Sequence, residues 1–193
     1  MLYQRIINFL FSRLFRFLFR FSFKKFGKKS SILFPLKIEG MKNICVGDNV
    51  YIAYKSSLSA MPLTVTESPI LEIGDGTSIG NFNHIFATEK IIIGKKVLTA
   101  DKVYISDNLH SYEDVTIPIM DQKIKQINHV EIGDGTWIGE NVCILGAKIG
   151  KNCVIGANSV VTKDISDYSV AVGSPAVVIK KFNIIKNKWE KND

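Results

Sequence analysis

The chain is 193 residues long, with 46% hydrophobic and 22% charged residues; this fits one globular domain and excludes a disordered or collagen-like chain. The formal charge of +7 is confined to one end: residues 1–38 hold nine Lys/Arg and no acid, while the other 155 hold sixteen basic and eighteen acidic groups. A nucleic-acid groove, which needs a basic surface along the body, does not fit that distribution.

The N-terminal arm comes first. Eight of the twelve Phe lie between Phe9 and Phe26, interleaved with arginines. The longest charge-free stretch, Ile6 to Ser12, is seven residues, where a membrane-spanning helix needs about 20. Arginines at 13, 16 and 20 also interrupt the apolar core that a secretory signal requires. Helical spacing gathers Arg5, Asn8, Ser12, Arg16, Arg20 and Lys24 into one polar stripe, with Arg13 beside it. Leu2, Ile6, Phe9, Leu10, Leu14, Phe17, Leu18 and Phe21 cover the rest. Such a cationic, acid-free amphipathic helix is suited to the headgroup layer of an anionic leaflet. Packing on the body or on another subunit is the alternative.

From Val46 onward an aliphatic residue recurs every six positions. The triplets are Val46, Ile52, Leu58; Ile73, Ile79, Ile85; Ile93, Thr99, Ile105; Ile132, Ile138, Ile144; and Ile149, Ile155, Val161. The residue four further on is nearly always small or β-branched, as in Val50, Ser56, Thr77, Asn83, Thr136 and Ser159. A hexad pointing one large and one small side chain inward is one strand plus one corner of a β-helix. Gly47-Asp48-Asn49, Gly74-Asp75-Gly76 and Gly133-Asp134-Gly135 supply the turn chemistry of the corners. The pattern predicts an all-β, parallel β-helix of about five triangular turns.

Breaks in the period carry information too. Ile105 to Ile132 is twenty-seven residues, which predicts an excursion over 106–131, and long loops thrown from rigid scaffolds are usually functional. Ile144 to Ile149 is one residue short of the period. Three cysteines with no C-x-x-C argue against a disulfide framework or zinc knuckle and suit a reducing compartment. The register points Cys153 inward and leaves Cys45 and Cys143 facing out, so packing is the role expected of Cys153. Trp137 also faces out in register, as a subunit-interface anchor or as part of a ligand-binding wall. Of three histidines, His84 sits at an outward strand position and His129 just before the strand resumes; only His110 lies on the excursion.

Certain segments resemble the hexapeptide-repeat acyltransferases with a left-handed β-helix, in the sugar O-acetyltransferase branch related to galactoside and maltose acetyltransferases. They are Asn81-Phe82-Asn83, Ile93-Gly94 through Ser106-Asp107-Asn108-Leu109-His110, Val130 through Gly139, Val154 through Ile165, and Gly173-Ser174-Pro175-Ala176. The likeness covers about residues 40–181. It implies a homotrimer with acetyl-CoA bound in a cleft between adjacent coils, and no metal. His110 matches the family's general base, and Asn81 matches a residue that holds the acceptor sugar. Gly139 and the amide of Glu140 match the lining of the thioester, where some members carry a serine at the second position. Ala147, Ala157, Thr162 and Lys163 match contacts to pantetheine and nucleotide, and Trp137 stands beside them as part of the acetyl-CoA wall. Lys180 matches an arginine near the CoA phosphates, while Val177 replaces a second one. The chemistry agrees, since imidazole is the side chain suited to take a hydroxyl proton near neutral pH.

The expected organisation is an amphipathic helical arm over 1–30, a β-helix acyltransferase domain over 31–181, and a tail over 182–193 with a short C-terminal helix. The expected protein is a cytoplasmic acetyl-CoA-dependent O-acetyltransferase at the inner face of the membrane. Its acceptor would be a saccharide destined for a surface polysaccharide or carried on a lipid. Three rivals are weighed against it: a non-catalytic membrane-docked scaffold, an N-acetyltransferase of an amino sugar, and a γ-type carbonic anhydrase. The last needs three histidines on one zinc, two of them typically close in sequence, whereas these lie 26 and 19 residues apart.

Overall fold

The computed structural model describes residues 2–192. Helix α1 (Leu2–Phe19) is followed by stacked triangular turns, each of three short strands. The first turn is β1 (Lys25–Phe26), β2 (Ser31–Ile32) and β3 (Lys37–Glu39). The second is β4 (Ile44–Val46), β5 (Tyr51–Ile52) and β6 (Ser57–Ala60), and the third is β7 (Ile70–Ile73), β8 (Ser78–Ile79) and β9 (His84–Ala87). The fourth, β10 (Lys90–Ile93), β11 (Leu98–Thr99) and β12 (Tyr104–Ser106), leads into the excursion, which contains β13 (Asn108–His110) and β14 (Ile124–Gln126). The fifth turn is β15 (Val130–Ile132), β16 (Trp137–Ile138) and β17 (Cys143–Leu145), and the sixth is β18 (Lys148–Ile149), β19 (Val154–Ile155) and β20 (Val160–Val161). A partial seventh adds β21 (Ser169–Val172), from which β22 (Val177–Asn183) and β23 (Lys188–Lys191) fold back. Corresponding strands form three parallel faces, the arrangement of a left-handed β-helix.

The core is the hexad series itself. All fifteen residues of the five triplets are at most 2% exposed, and so are the small residues paired with them, including Cys153. Each fully buried Val or Ile contributes roughly 1.5–3 kcal/mol relative to an exposed one. Side chains at the corners lock one turn to the next. Between the first and second faces, Asp48, Asp75, Asp134 and Asp167 each accept a backbone N–H from the preceding turn at 2.6–3.0 Å. The N–H of Asp48 holds the Asp75 carboxyl below its usual range. The residue three past an inward aliphatic takes positive φ at Asn49, Gly76, Lys102, Asn141, Asn152 and Asn158, which explains the Asn and Gly of these corners.

Two expectations need correction. The coil has six full turns rather than five: Phe26, Ile32 and Ile38 pair with Val46, Ile52 and Leu58, so the β-helix begins inside the predicted arm. No short C-terminal helix forms either. Instead β22 pairs antiparallel with both β21 and β23. Asn183 Oδ1 accepts the Lys186 N–H at 3.0 Å and Asn187 takes φ 50°, closing the turn. Phe182 and Trp189 then meet edge-to-face at 5.4 Å across the hairpin.

Helix α1 lies over the open end of the coil. Phe15 is buried there, Phe11 stacks on Phe34 at 3.8 Å, and Phe34 stacks in turn on Tyr54 at 5.6 Å. The Tyr54 hydroxyl bonds Asn8, and an Arg16 guanidinium N–H donates to Gly27 O at 2.8 Å. Asn8, Ser12 and Arg16, members of the predicted polar stripe, are thus half-buried, Asn8 and Arg16 by their bonds to the coil.

Candidate active site

The excursion is a built element. Its strands β13 and β14 pair antiparallel, with His110 opposite Ile124. At its root the Asp107 side chain is fully buried and accepts the N–H groups of Thr88, Glu89 and Lys90 at 2.7–2.8 Å. Gln126 closes the other side, donating to Asp107 O at 2.6 Å and accepting from the Thr64 and Thr88 hydroxyls at 2.6 and 2.9 Å. The returning strand passes against the wall at Gly146, where a Cβ would lie 2.9 Å from Asn128 O. His110 therefore stands exposed on a hairpin whose base is fixed by buried hydrogen bonds.

The other histidines are held differently. His84 packs on the third face against Tyr104 and Phe86, at ring distances of 5.3 and 6.2 Å. Burial lowers its pKa, with the charge of Lys37 acting in the same direction. His129 Nε2 lies 3.1 Å from Glu131 Oε1 on the first-face side. Three histidines in three places do not converge on one atom. Among the described residues, no group of three His, Cys, Asp or Glu side chains is placed to hold a metal. Burial raises all three thiol pKa values, the reverse of what a thiolate nucleophile needs. Cys153 instead donates to Ser166 O at 3.2 Å.

The remaining predicted positions divide between two edges of the third face. At the corner between the second and third faces, Gly139 sits directly over Ala157: a Cβ on Gly139 would be 2.6 Å from Ala157 N. Gly139 N–H is used on Ile155 O at 2.8 Å and Asn141 N–H on Asp101 O at 3.0 Å. Among the described residues the Glu140 N–H between them has no acceptor, while the Glu140 carboxylate turns out to Lys102 at 3.0 Å. Trp137 projects from the second face nearby, 49% exposed, between Leu98 and Val154 in register. Asn81 lies at the same edge two turns earlier, half-buried. Its NH2 donates to both Asp101 oxygens at 3.1 Å and its Oδ1 accepts the Tyr54 N–H at 3.1 Å. The neighbouring Asn83 is inward and buried, bonded to Ala100 O at 2.9 Å and to the Thr99 hydroxyl.

The opposite edge, between the third and first faces, carries the His110 hairpin, Ala147, Thr162 and Lys163. Thr162 and Lys163 are exposed, but Ala147 is 0% exposed within the core, so its methyl offers no surface to a ligand. Lys180 is exposed on β22, opposite Val170 and Lys191. A triangle side of six residues measures roughly 15–20 Å. One chain thus holds His110 on one edge and the Gly139–Ala157 corner on the other. The sequence reading missed Asp107 and Gln126; the signal for Asp107 is an acid immediately after the last in-register strand.

The pattern of the hexapeptide repeat of succinyl-transferase family matches residues 129–163. WbbJ of Escherichia coli K12, named as a lipopolysaccharide biosynthesis O-acetyl transferase, is 33% identical over 167 residues, covering 83% of each chain. An acetyltransferase-named protein of Mycobacterium tuberculosis is 40% identical over 75% of this chain, which spans only 45% of that relative's length. Among solved structures, a maltose O-acetyltransferase from Clostridium difficile 630 has TM-score 0.54 and 32% identity, covering 85% of this chain and 72% of that one. A hexapeptide-repeat acetyltransferase from Vibrio cholerae, solved with acetyl-CoA bound, has TM-score 0.60 and 24% identity over 85% of this chain and 74% of that one, a likeness of fold. The six-turn coil and the WbbJ likeness across five-sixths of both chains agree: this chain belongs to the hexapeptide-repeat acetyltransferase family.

Proposed function

We propose that the protein transfers the acetyl group of acetyl-CoA to a hydroxyl of a saccharide, with His110 as general base. The observation that carries this is His110 itself, exposed on the excursion, whose root is fixed by the buried Asp107 carboxylate. In the reaction the imidazole takes the hydroxyl proton as that oxygen bonds to the thioester carbonyl carbon. The C–S bond then breaks, and the imidazolium returns the proton to the departing CoA sulfur. The unpaired Glu140 N–H offers a donor for the oxyanion between the two steps.

The division of candidate residues between two edges supports a ring of three copies, in which the His110 edge of one coil meets the Gly139–Ala157 edge of the next. A head-to-tail contact of this kind makes a closed ring when three such rotations return to the start. Trp137, Gly139, Ala157, Thr162, Lys163 and Lys180 would line the acetyl-CoA cleft, with Ala147 contributing backbone alone. Asn81 would reach acceptor from its place beside Asp101. The names of WbbJ and the maltose acetyltransferase support a sugar acceptor. Three unpaired cysteines and the use of acetyl-CoA support a cytoplasmic setting, and the arm supports the membrane surface. No helix among the described residues is long and apolar enough to cross a membrane.

The test is His110→Ala, assayed by acetyl transfer to a panel of soluble saccharides. A loss of about 10²–10⁴-fold with unchanged oligomer size is expected. Retained turnover would remove His110 from the mechanism.

A further inference from the structure

Helix α1 meets the coil through one side only. The side that packs down carries Asn8, Phe11, Ser12 and Phe15. On the other, Ile6, Phe9, Leu10, Leu14 and Phe17 stand in solvent, Phe17 77% exposed, and Phe21, just past the helix end, is 82% exposed. The helix therefore has an apolar side against the coil and a second one in water, whereas a helix on a soluble protein usually turns a polar side outward. A contiguous apolar surface of that kind marks an interaction site.

One flank of the exposed side is cationic. The Arg13 guanidinium lies 4.5 Å from the Phe9 ring centre and that of Arg20 lies 4.3 Å from Phe21. Beyond the helix C-terminus is a cavity of about 420 Å³ lined by Arg16, Arg20, Lys24 and Lys25 over phenylalanine rings, with no acidic residue.

We propose that α1 and this cavity form a docking surface for an anionic lipid bilayer, on which the coil stands end-on. The charge distribution selects this occupant. Residues 1–38 present nine cations and no acid, complementary to lipid phosphates, while the apolar row matches the acyl boundary beneath them. The cavity receives a lipid phosphate headgroup. Contacts of α1 run from Tyr54, at one end of the second face, to Gly27 at the other. The helix axis therefore lies across the coil axis, and the bilayer plane lies parallel to the turns. The His110 hairpin leaves the fourth turn, three rungs of ~4.8 Å above the first. The acceptor that follows is a saccharide carried on the same bilayer; this last step rests on the proposed transferase reading, whereas the docking does not.

The experiment is flotation of the full chain with vesicles of phosphatidylcholine alone or with one-third phosphatidylglycerol, at low and high salt. Binding to the anionic vesicles, weakened by salt, is expected. Leu14→Glu with Phe17→Glu should cut the bound fraction at least tenfold at an unchanged melting temperature. Arg20→Glu with Lys24→Glu should abolish the preference for phosphatidylglycerol. Equal binding of wild type to neutral vesicles, no binding to either, or full binding by the charge-reversed variant would overturn the proposal. So would an oligomer that dissociates in lipid-free solution on Phe17→Glu, because the surface would then be a protein interface. Acetylation of soluble acceptors, measured separately, reports on the transferase reading alone.

Discussion

The Asp107 carboxylate meets the backbone N–H of Lys90 at 2.7 Å, across the seam where the excursion leaves the coil. The same carboxylate takes the amides of Thr88 and Glu89, so one buried side chain ends the third turn, starts the fourth and roots the His110 hairpin. Asp107→Asn replaces an acceptor oxygen with a donor facing an amide. It should cost about 2–4 kcal/mol, read as a lower urea midpoint, with faster amide exchange over 108–126.

Gly139 has no room for a methyl group. A Cβ there would lie 2.6 Å from Ala157 N and 2.9 Å from Ile155 O, both backbone atoms of the next turn. Gly139→Ala should destabilise the coil by about 1–3 kcal/mol and raise KM for acetyl-CoA more than KM for the acceptor. An equal rise in both would place the corner outside the CoA wall.

His84 gives stability a pH dependence. Partial desolvation beside Tyr104 and Phe86, on a residue whose surface is otherwise exposed, and then Lys37 lower its pKa from the ordinary 6.5. The unfolded chain consequently binds this proton more readily than the folded one, and stability falls as pH drops below about 6.5. The loss levels off below the folded-state pKa. Urea midpoints between pH 8 and pH 5 should show that decline, and His84→Phe should flatten part of it.

Phe15 ties α1 to the coil. It is 7% exposed and packs with Phe11, Phe19 and Phe23 over the first turn. Phe15→Ala should cost about 3 kcal/mol and loosen the helix first. Faster exchange at α1 amides than at β8 or β11 would report that order of events.

The body was legible because a β-helix writes its geometry into the chain: every residue of the five hexad triplets is buried. The first turn went unread although Phe26, Ile32 and Ile38 keep the same six-residue step. An eight-residue step to Val46 separates them from the series, and the cations around them read as arm. At the other end, the turn residues Asn183 and Asn187 were the available sign of a hairpin. His110 was singled out by its place on the excursion. Asp107 and Gln126 were not, because the backbone groups that Asp107 accepts and the Thr64 and Thr88 hydroxyls that Gln126 accepts lie far off in the chain, and no local spacing encodes them.

The stacked turns have a consequence for the life of the chain before and after folding. A column of nearly identical rungs is open at both ends, and each open end is a row of unpaired backbone groups able to template another strand. Here α1 lies over one terminus, and β22 with β23 turn the strand direction antiparallel at the other. The helix therefore shields one open end from templating, and the antiparallel strands break the parallel repeat on the second face at the other.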